Sequence, residues 1–441
     1  MSEQNSKSGL NRILNGLVAE RYNLYFYCAV YMLNHILEYY TGIYLRPLFL
    51  ASYLWTLIIF IYHSFVTKKY ITGTVYRWAY VFLMINMIST FMYRANWRFS
   101  VLQDFAILIQ YIFVFYSAFL SSDTQKEHAR VYQLIKWFNL LIVFVSAASV
   151  IAVLTDSPLI SMQGKVAKTG RQRGFYNETN EGAYYAYTSI MFSAYLLYDK
   201  FKKQDHVRRY GILFLINLAV QCVMILLTGS RTLMLLMVMT VMYAVYLFIK
   251  NMHVPIPRRF KPLIASALIV LAYVLLFTKY GPNRNIYYYL QKYPDLFSGE
   301  SRDLPKLLNK MTSGRYYLWK SSIEVWLKSP LLGYGLKSAG FTYEVYRGMS
   351  NSHNVIVNTL LFSGLAGMSA LVMYVKSLLK IVRKNIDYRD AIIKHYVMGS
   401  CFVAMLEVAL LYNGKALCAI CWALTGYICL QDKNWDAADQ Q

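Results

Sequence analysis

The side chains best suited to chemistry are a set of arginines and one histidine, each in a short polar segment between apolar runs. Arg231 stands in Thr228-Gly-Ser-Arg-Thr232. Gly229 and Ser230 suit a tight turn, with Ser230 a candidate N-cap of the next helix. A helix N-terminus beside a guanidinium attracts an anion from two sources at once; taken alone, the same arginine reads equally well as a side chain reaching to lipid headgroups. Arg171 and Arg173 lie in Gly170-Arg-Gln-Arg-Gly-Phe-Tyr-Asn-Glu-Thr-Asn-Glu-Gly182, together with Asn177, Glu178 and Glu181. Such a mixture suits a polar, partly anionic ligand, although composition alone favours a solvated turn. Arg315 stands in Ser313-Gly-Arg-Tyr-Tyr-Leu-Trp319, a spacing that puts Arg315 and Trp319 on one helical face. A guanidinium beside an indole suits sugar and phosphate contact or a stacked structural pair.

Pro330-Leu-Leu-Gly-Tyr-Gly335 and Ser352-His-Asn354 follow in order. An ordinary imidazole titrates near physiological pH, so His353 is the first candidate for a general base, ahead of Glu181 and Glu178. A lone histidine beside an apolar run is more often an interfacial residue. Asp104 and Glu407 fall inside apolar runs and rank lower, as intramembrane carboxylates with no motif around them. Several other machines are missing from the sequence. It has no P-loop, no H-E-x-x-H, no G-x-S-x-G elbow, no Asp-x-Asp pair and no His/Cys/carboxylate cluster with metal spacing. The expectation is therefore chemistry without ATP, without a cofactor and without a bound metal.

The elements that must carry these residues are membrane helices. Of 441 residues 57% are hydrophobic and only 15% charged, against about a quarter charged in a soluble domain. Forty-one tyrosines fit headgroup-level anchoring. The net charge of +23 sits in short clusters between apolar runs, which argues for topology and anionic lipid or substrate and against nucleic acid. All six cysteines, the Cys418–Cys421 C-x-x-C included, lie in apolar runs and read as small packing residues. The first apolar run lacks an A-x-A site after it and is expected to remain as the first helix.

Runs of about 20 apolar residues predict an all-α polytopic membrane protein with about twelve spans, at 24–40, 46–66, 75–93, 99–120, 131–154, 183–199, 210–227, 232–250, 261–279, 354–376, 393–411 and 415–430. Residues 1–441 read as one integral membrane domain. Basic pairs and runs such as Lys68-Lys69, Lys202-Lys203, Arg258-Arg259 and Lys380 onward place the N-terminus, and with an even count the C-terminus, in the cytoplasm. Two outer segments exceed a connector: 155–182, and 280–352 between the ninth and tenth spans. In the second, Leu318, Trp319, Ile323 and Trp326 predict a short amphipathic helix over 316–327.

Read together, Ser-Arg at a helix head, the arginine-rich Gly/Asn loop, S-G-R-x-x-x-W, P-L-x-G-x-G, and H-N before an apolar run with Gly364 and Gly367 resemble the O-antigen ligase/polymerase family of bacterial envelope proteins. The ten residues between Arg171 and Gly182 look like the R-x₁₀-G pattern of the polymerase branch. The large loop's arginines lack that spacing. The resemblance implies a fold like that of the GT-C-type integral-membrane glycosyltransferases. It implies metal-independent, inverting transfer of a glycan from undecaprenyl diphosphate to an acceptor hydroxyl on the outer face of the bacterial cytoplasmic membrane. His353, Arg231 and Arg315 would be the catalytic residues. Arg171, Arg173, Asn177, Glu181, Trp319 and Asn354 would bind the diphosphate and glycan. The expected partners are the lipid-linked oligosaccharide, membrane lipids and, from the family alone, a chain-length regulator and a repeat-unit flippase. Two rivals stand beside a polymerase of O-antigen, capsular or exopolysaccharide repeats: a ligase that passes the glycan to lipid A core, a wall polymer or a protein, and a polysaccharide transporter or flippase.

Overall fold

The structure is a computed structural model that describes residues 16, 18–66, 73–93, 99–120, 123–155, 174–176, 178–230, 232–240, 305, 308, 309, 312, 314–336, 352–383, 388–406 and 414–438. Arg171, Arg173, Asn177, Arg231, Glu407, the expected span 261–279 and most of the two outer segments lie outside the described residues.

Among the described residues all regular structure is helical. The helices are α1 (Glu20–Thr41), α2 (Arg46–Ile61, continued by a π-helical Tyr62–Val66), α3 (Thr74–Met92), α4 (Phe99–Ile109, continued by a π-helical Gln110–Phe115), α5 (Thr124–Leu154), α6 (Thr179–Lys202), α7 (Val207–Thr228), α8 (Arg315–Trp326), α9 (Val355–Arg383), α10 (Tyr388–Leu406) and α11 (Ala416–Ala438). Residues 232–240 are helical as well. By length and composition Arg46–Val66, α5, α7 and α9 are able to cross a membrane, and Val101–Phe115, Ala391–Met405 and Ala416–Leu430 are shorter apolar helices. Bands of exposed Leu, Ile and Phe on α2, α5 and α7 are what a lipid-facing surface requires, since lipid is as apolar as a protein core.

The chain forms two compact units, one of Met1–Ile135 with Leu318–Gln441, the other of Lys136–Tyr317. In the first, α11 is the innermost element. Residues 416–430 are buried all round, the pattern of a helix surrounded by other helices. Tyr27 and Tyr111 hold its entry by donating to the carbonyls of Gly414 (2.7 Å) and Lys415 (3.2 Å). Where α1, α2 and α4 meet, Asn23, Ser52 and Gln110 are fully buried and bond one another: Gln110 Nε2 donates to Asn23 Oδ1 (2.8 Å) and Ser52 Oγ (2.7 Å), and Asn23 Nδ2 to the Ser52 carbonyl (3.0 Å). The second unit repeats the device. Asn217 of α7 donates to Ser193 Oγ (2.6 Å) of α6, and Ser189 Oγ of α6 donates to Asn139 Oδ1 (2.7 Å) of α5. Apolar burial cannot drive helices together inside lipid, so such interhelical bonds contribute, at roughly 0.6 kcal/mol each.

α9 is broken at Gly364, whose φ of 61° and ψ of −159° are not helical. A break in a helix of the membrane frees backbone groups that water cannot satisfy. Here the loop 330–335 satisfies them reciprocally. Tyr334 N–H donates to the Leu361 carbonyl and Gly335 N–H to that of Phe362, both at 2.8 Å; in return Leu365 N–H donates to the Pro330 carbonyl (2.8 Å) and Ala366 N–H to that of Leu331 (3.0 Å). The P-L-x-G-x-G segment is thus spliced into the hydrogen-bond ladder of α9. The approach is close enough to exclude side chains. A Cβ on Gly364 would lie 2.3 Å from the Leu331 carbonyl oxygen, and one on Gly333 2.6 Å from that of Leu361. Both glycines also have φ near +60°, where an L side chain is strained.

Gly364→Ala is therefore expected to destabilise the protein by at least about 2 kcal/mol, read as a lower thermal midpoint in detergent. Gly211→Ala on α7, where an added Cβ meets nothing within 4 Å, should leave the midpoint unchanged or slightly higher. Equal midpoints for the two variants would show that the splice does not govern stability.

Candidate functional site

The spliced loop leads to several of the candidate residues singled out in the sequence. Ser329 Oγ donates to the Gly333 carbonyl (2.9 Å) and meets the hydroxyl of Tyr93 at 2.9 Å. Trp326 Nε1 donates to the Pro330 carbonyl (3.1 Å). Leu336 N–H donates to Thr90 Oγ1 of α3 (2.9 Å), while that hydroxyl donates back along its own helix to the Asn86 carbonyl (2.7 Å). The loop is thereby bonded to both α3 and α9, which also pack on one another.

His353 occupies the turn that enters α9, and both of its neighbours are held. Asn354 Oδ1 accepts from the backbone N–H groups of Ile356 (2.9 Å) and Val357 (3.1 Å), capping α9. Ser352 is fully buried. Its N–H and hydroxyl both donate to Asn358 Oδ1 (3.0 and 2.7 Å), and its carbonyl accepts the indole N–H of Trp319 (2.9 Å). Between these fixed points His353 adopts a φ of 52°. That left-handed conformation is uncommon for a residue with a side chain and persists where surrounding bonds over-determine it. The imidazole is half-buried. Asn358 Nδ2 is buried with no partner among the described residues.

Arg315 and Trp319 are both on α8, one turn apart, as their spacing predicted. Thr312 prepares the start of this helix, its Oγ1 accepting from Tyr316 N–H (2.9 Å). The expected amphipathic face is only partly realised. Leu318 and Ser322 are the buried residues and Trp319 is half-buried, whereas Ile323 is exposed.

The second unit holds the end of the arginine-rich segment. Tyr176 is buried, its hydroxyl 2.8 Å from Ser146 Oγ of α5 and its ring stacked on Tyr185 of α6 with centroids 5.2 Å apart. Burial pushes the phenol up, out of the range in which it would ionise, against a smaller opposing effect of the Ser146 hydrogen bond. Phe175 N–H donates to Ser149 Oγ (3.0 Å), whose own proton goes to the Val145 carbonyl (2.7 Å). Gly182 in the first turn of α6 gives the Tyr176 ring its place; a Cβ there would lie 2.9 Å from Tyr176 Cδ2. This is a physical reason for a glycine at the end of the ten-residue spacing from Arg171. Glu181 beside it is buried on α6, within electrostatic reach of Tyr176. Arg171, Arg173 and Asn177 flank this anchored Gly-Phe-Tyr but lie outside the described residues, as does Arg231 between α7 and the helical residues 232–240.

Sequence reasoning named His353, Asn354 and Trp319 as candidates but not the residues that hold this turn and the Gly-Phe-Tyr segment. Asn358, Thr90, Ser146 and Ser149 are polar residues within apolar helices, and Tyr93 ends one, with no motif around any of them. Asp104 is buried on α4.

Comparison with known proteins adds one match. Residues 214–372 match the family model described as O-antigen ligase. That stretch contains Arg231, Arg315, Trp319, the spliced loop, the His353 turn and the break in α9. No curated protein matches the chain.

If Asn354 acts as the cap of α9, Asn354→Ala should cost about 1 kcal/mol of stability. Asn354→Asp, which keeps the accepting oxygen, should lie close to the wild type when both are compared by thermal midpoint. Indistinguishable Ala and Asp variants would remove the capping role.

Proposed function

From the match of residues 214–372 to the family model described as O-antigen ligase, we propose that the protein is a membrane glycosyltransferase of the O-antigen ligase/polymerase family and polymerises undecaprenyl-diphosphate-linked oligosaccharide repeats. The reaction takes place on the outer face of the bacterial cytoplasmic membrane, in a GT-C-type frame of about twelve spans with both termini in the cytoplasm. The observation that carries this reading is the His353 turn: a histidine held left-handed between a buried serine and a helix-capping asparagine, inside the matched segment.

The chemistry follows from the residue types. An acceptor hydroxyl attacks the anomeric carbon from the face opposite the leaving group. The new C–O bond forms as the bond to the diphosphate oxygen breaks, and the configuration inverts. The hydroxyl proton passes to the imidazole of His353. The polyprenyl diphosphate leaves with the bonding pair, and its added charge is met by the guanidinium groups of Arg231 and Arg315, permanently charged bidentate donors that need no metal beside them. Arg171, Arg173 and Asn177 grip the diphosphate and glycan with Glu181. Trp319 and Asn354 act first through the turn they hold, by the indole bond to Ser352 and the cap on α9. A growing chain and a repeat unit then differ only in which supplies the donor. A chain-length regulator and a repeat-unit flippase are the partners such a reaction calls for.

The purified protein in liposomes, given a lipid-linked oligosaccharide with EDTA present, should yield a ladder of lipid-linked oligomers. His353→Ala should lower the rate about 10²–10⁴-fold, and Arg231→Lys or Arg315→Lys about 10²-fold, because an ammonium cannot replace a bidentate guanidinium. Turnover only after a separate lipid A core, wall or protein acceptor is added would replace the polymerase with a ligase. Restoration of activity by divalent cations alone would overturn the metal-free arginine site. Folded protein that moves the lipid-linked glycan across the bilayer without joining it would be a transporter.

A further inference from the structure

A cavity of about 480 Å³ lies between α9, α10 and α11, outside the turn that carries His353. Its walls are apolar, with Leu371, Val372 and Val375 of α9 facing Ala404 and Met405 of α10 and Trp422 of α11. Its charges are at one end only. Lys376, Lys380 and Arg383, on the last turns of α9, line it there, and none of them is ion-paired among the described residues. Lys394 of α10, outside the lining, sits by the same end of α9. It is buried and donates to the Ile381 carbonyl at 3.0 Å, at the C-terminal, negative end of the α9 dipole. At the other end the lining residues are Val355, Ile356 and Met368, with no cation among them.

We propose that this groove is a binding site for an anionic diacyl phospholipid, its phosphate held by Lys376, Lys380 and Arg383 and an acyl chain laid along α9. Length supports this occupant. From Arg383 to Met368 the unbroken helix rises about 22 Å at 1.5 Å per residue, enough for one leaflet's acyl chain in a hydrocarbon core of about 30 Å. Charge excludes the lipid-linked donor from the same groove in the productive direction. Its diphosphate would have to lie at the Val355 end, beside His353, where the groove offers no cation. The three basic residues follow the ordinary bias of cytoplasmic helix ends; the apolar groove that they line together with α10 and α11 makes them a site.

The site stands apart from the glycosyl-transfer reading, and its test uses no turnover. Delipidated full-length protein in detergent would be titrated with phosphatidylglycerol carrying dibrominated acyl chains, read by quenching of tryptophan emission, and with the phosphatidylcholine equivalent. Phosphatidylglycerol should quench saturably, with a component lost in Trp422→Phe, and phosphatidylcholine should not. The combined Lys376→Gln, Lys380→Gln, Arg383→Gln variant should bind on the order of a hundredfold more weakly, at about fivefold per basic residue. Val372→Trp, which fills the groove without touching a charge, should also weaken binding. Arg208→Gln with Arg209→Gln, a basic pair on α7 remote from the groove in sequence, should bind as the wild type does. Equal quenching by the two lipids, unchanged binding by the triple variant, or displacement of the bound phosphatidylglycerol by undecaprenyl phosphate at equal concentration would overturn the proposal.

Discussion

The backbone groups released where α9 breaks at Gly364 have to find partners, and the arrangement around the His353 turn depends on how they do. Inside lipid a bare N–H or carbonyl costs several kcal/mol, so a break without a partner would not persist. The loop 330–335 supplies both halves of the exchange, two donors and two acceptors, at 2.8–3.0 Å. That exchange sets the direction in which residues 355–363 leave the rest of α9. The turn that holds His353 is the start of that short segment. Gly333 and Gly364 are the condition for it, because the Leu361 and Leu331 carbonyls can approach this closely only where the residue they face has no Cβ.

A second device recurs in both units. A serine or threonine on a helix gives its proton to the carbonyl four residues back and accepts the N–H of a loop residue: Thr90 for Leu336 and Ser149 for Phe175. The hydroxyl is satisfied on both sides, and a loop is fixed to a helix without burying a charge. The amide of Asn358 does similar work for Ser352, taking two bonds on one oxygen. Rigid loop ends of this kind would suit the proposed glycan transfer, because catalytic advantage comes from donors already in place when charge develops.

The lipid side of the first unit follows a different logic. There α11 is enclosed by apolar contacts, and the polar groups that remain, Asn23, Ser52 and Gln110, are shared among three helices instead of facing lipid. The groove along α9 departs from this closure, and its charges lie at the end away from His353. The two ends of one helix thereby carry different electrostatic tasks: a capped, positively polarised N-terminus beside the histidine, and a cluster of cations where the dipole is negative.

Much of the architecture was legible in the residues alone, for a physical reason. Membrane helices announce themselves by length and apolarity, so the expected spans at 46–66, 210–227 and 354–376 fall on helices able to cross a membrane, the last running on to Arg383, while those at 24–40, 75–93 and 183–199 fall on helices whose ends differ by up to four residues. Capping and helical spacing are equally local, which is why Asn354 could be placed at the entry of α9 and Arg315 one turn from Trp319. Tertiary structure alone decided the rest. No local pattern tells that Gly364 breaks a helix instead of packing in it, because the break is stable only when Pro330 and Leu331 supply acceptors from a distant part of the chain. Nor does sequence show that Asn358 and Thr90 are positioning residues, or that Ile323 is left exposed on the helix expected to bury it. Those outcomes depend on which backbones meet, and a one-dimensional pattern records what each residue is able to do without recording what stands opposite.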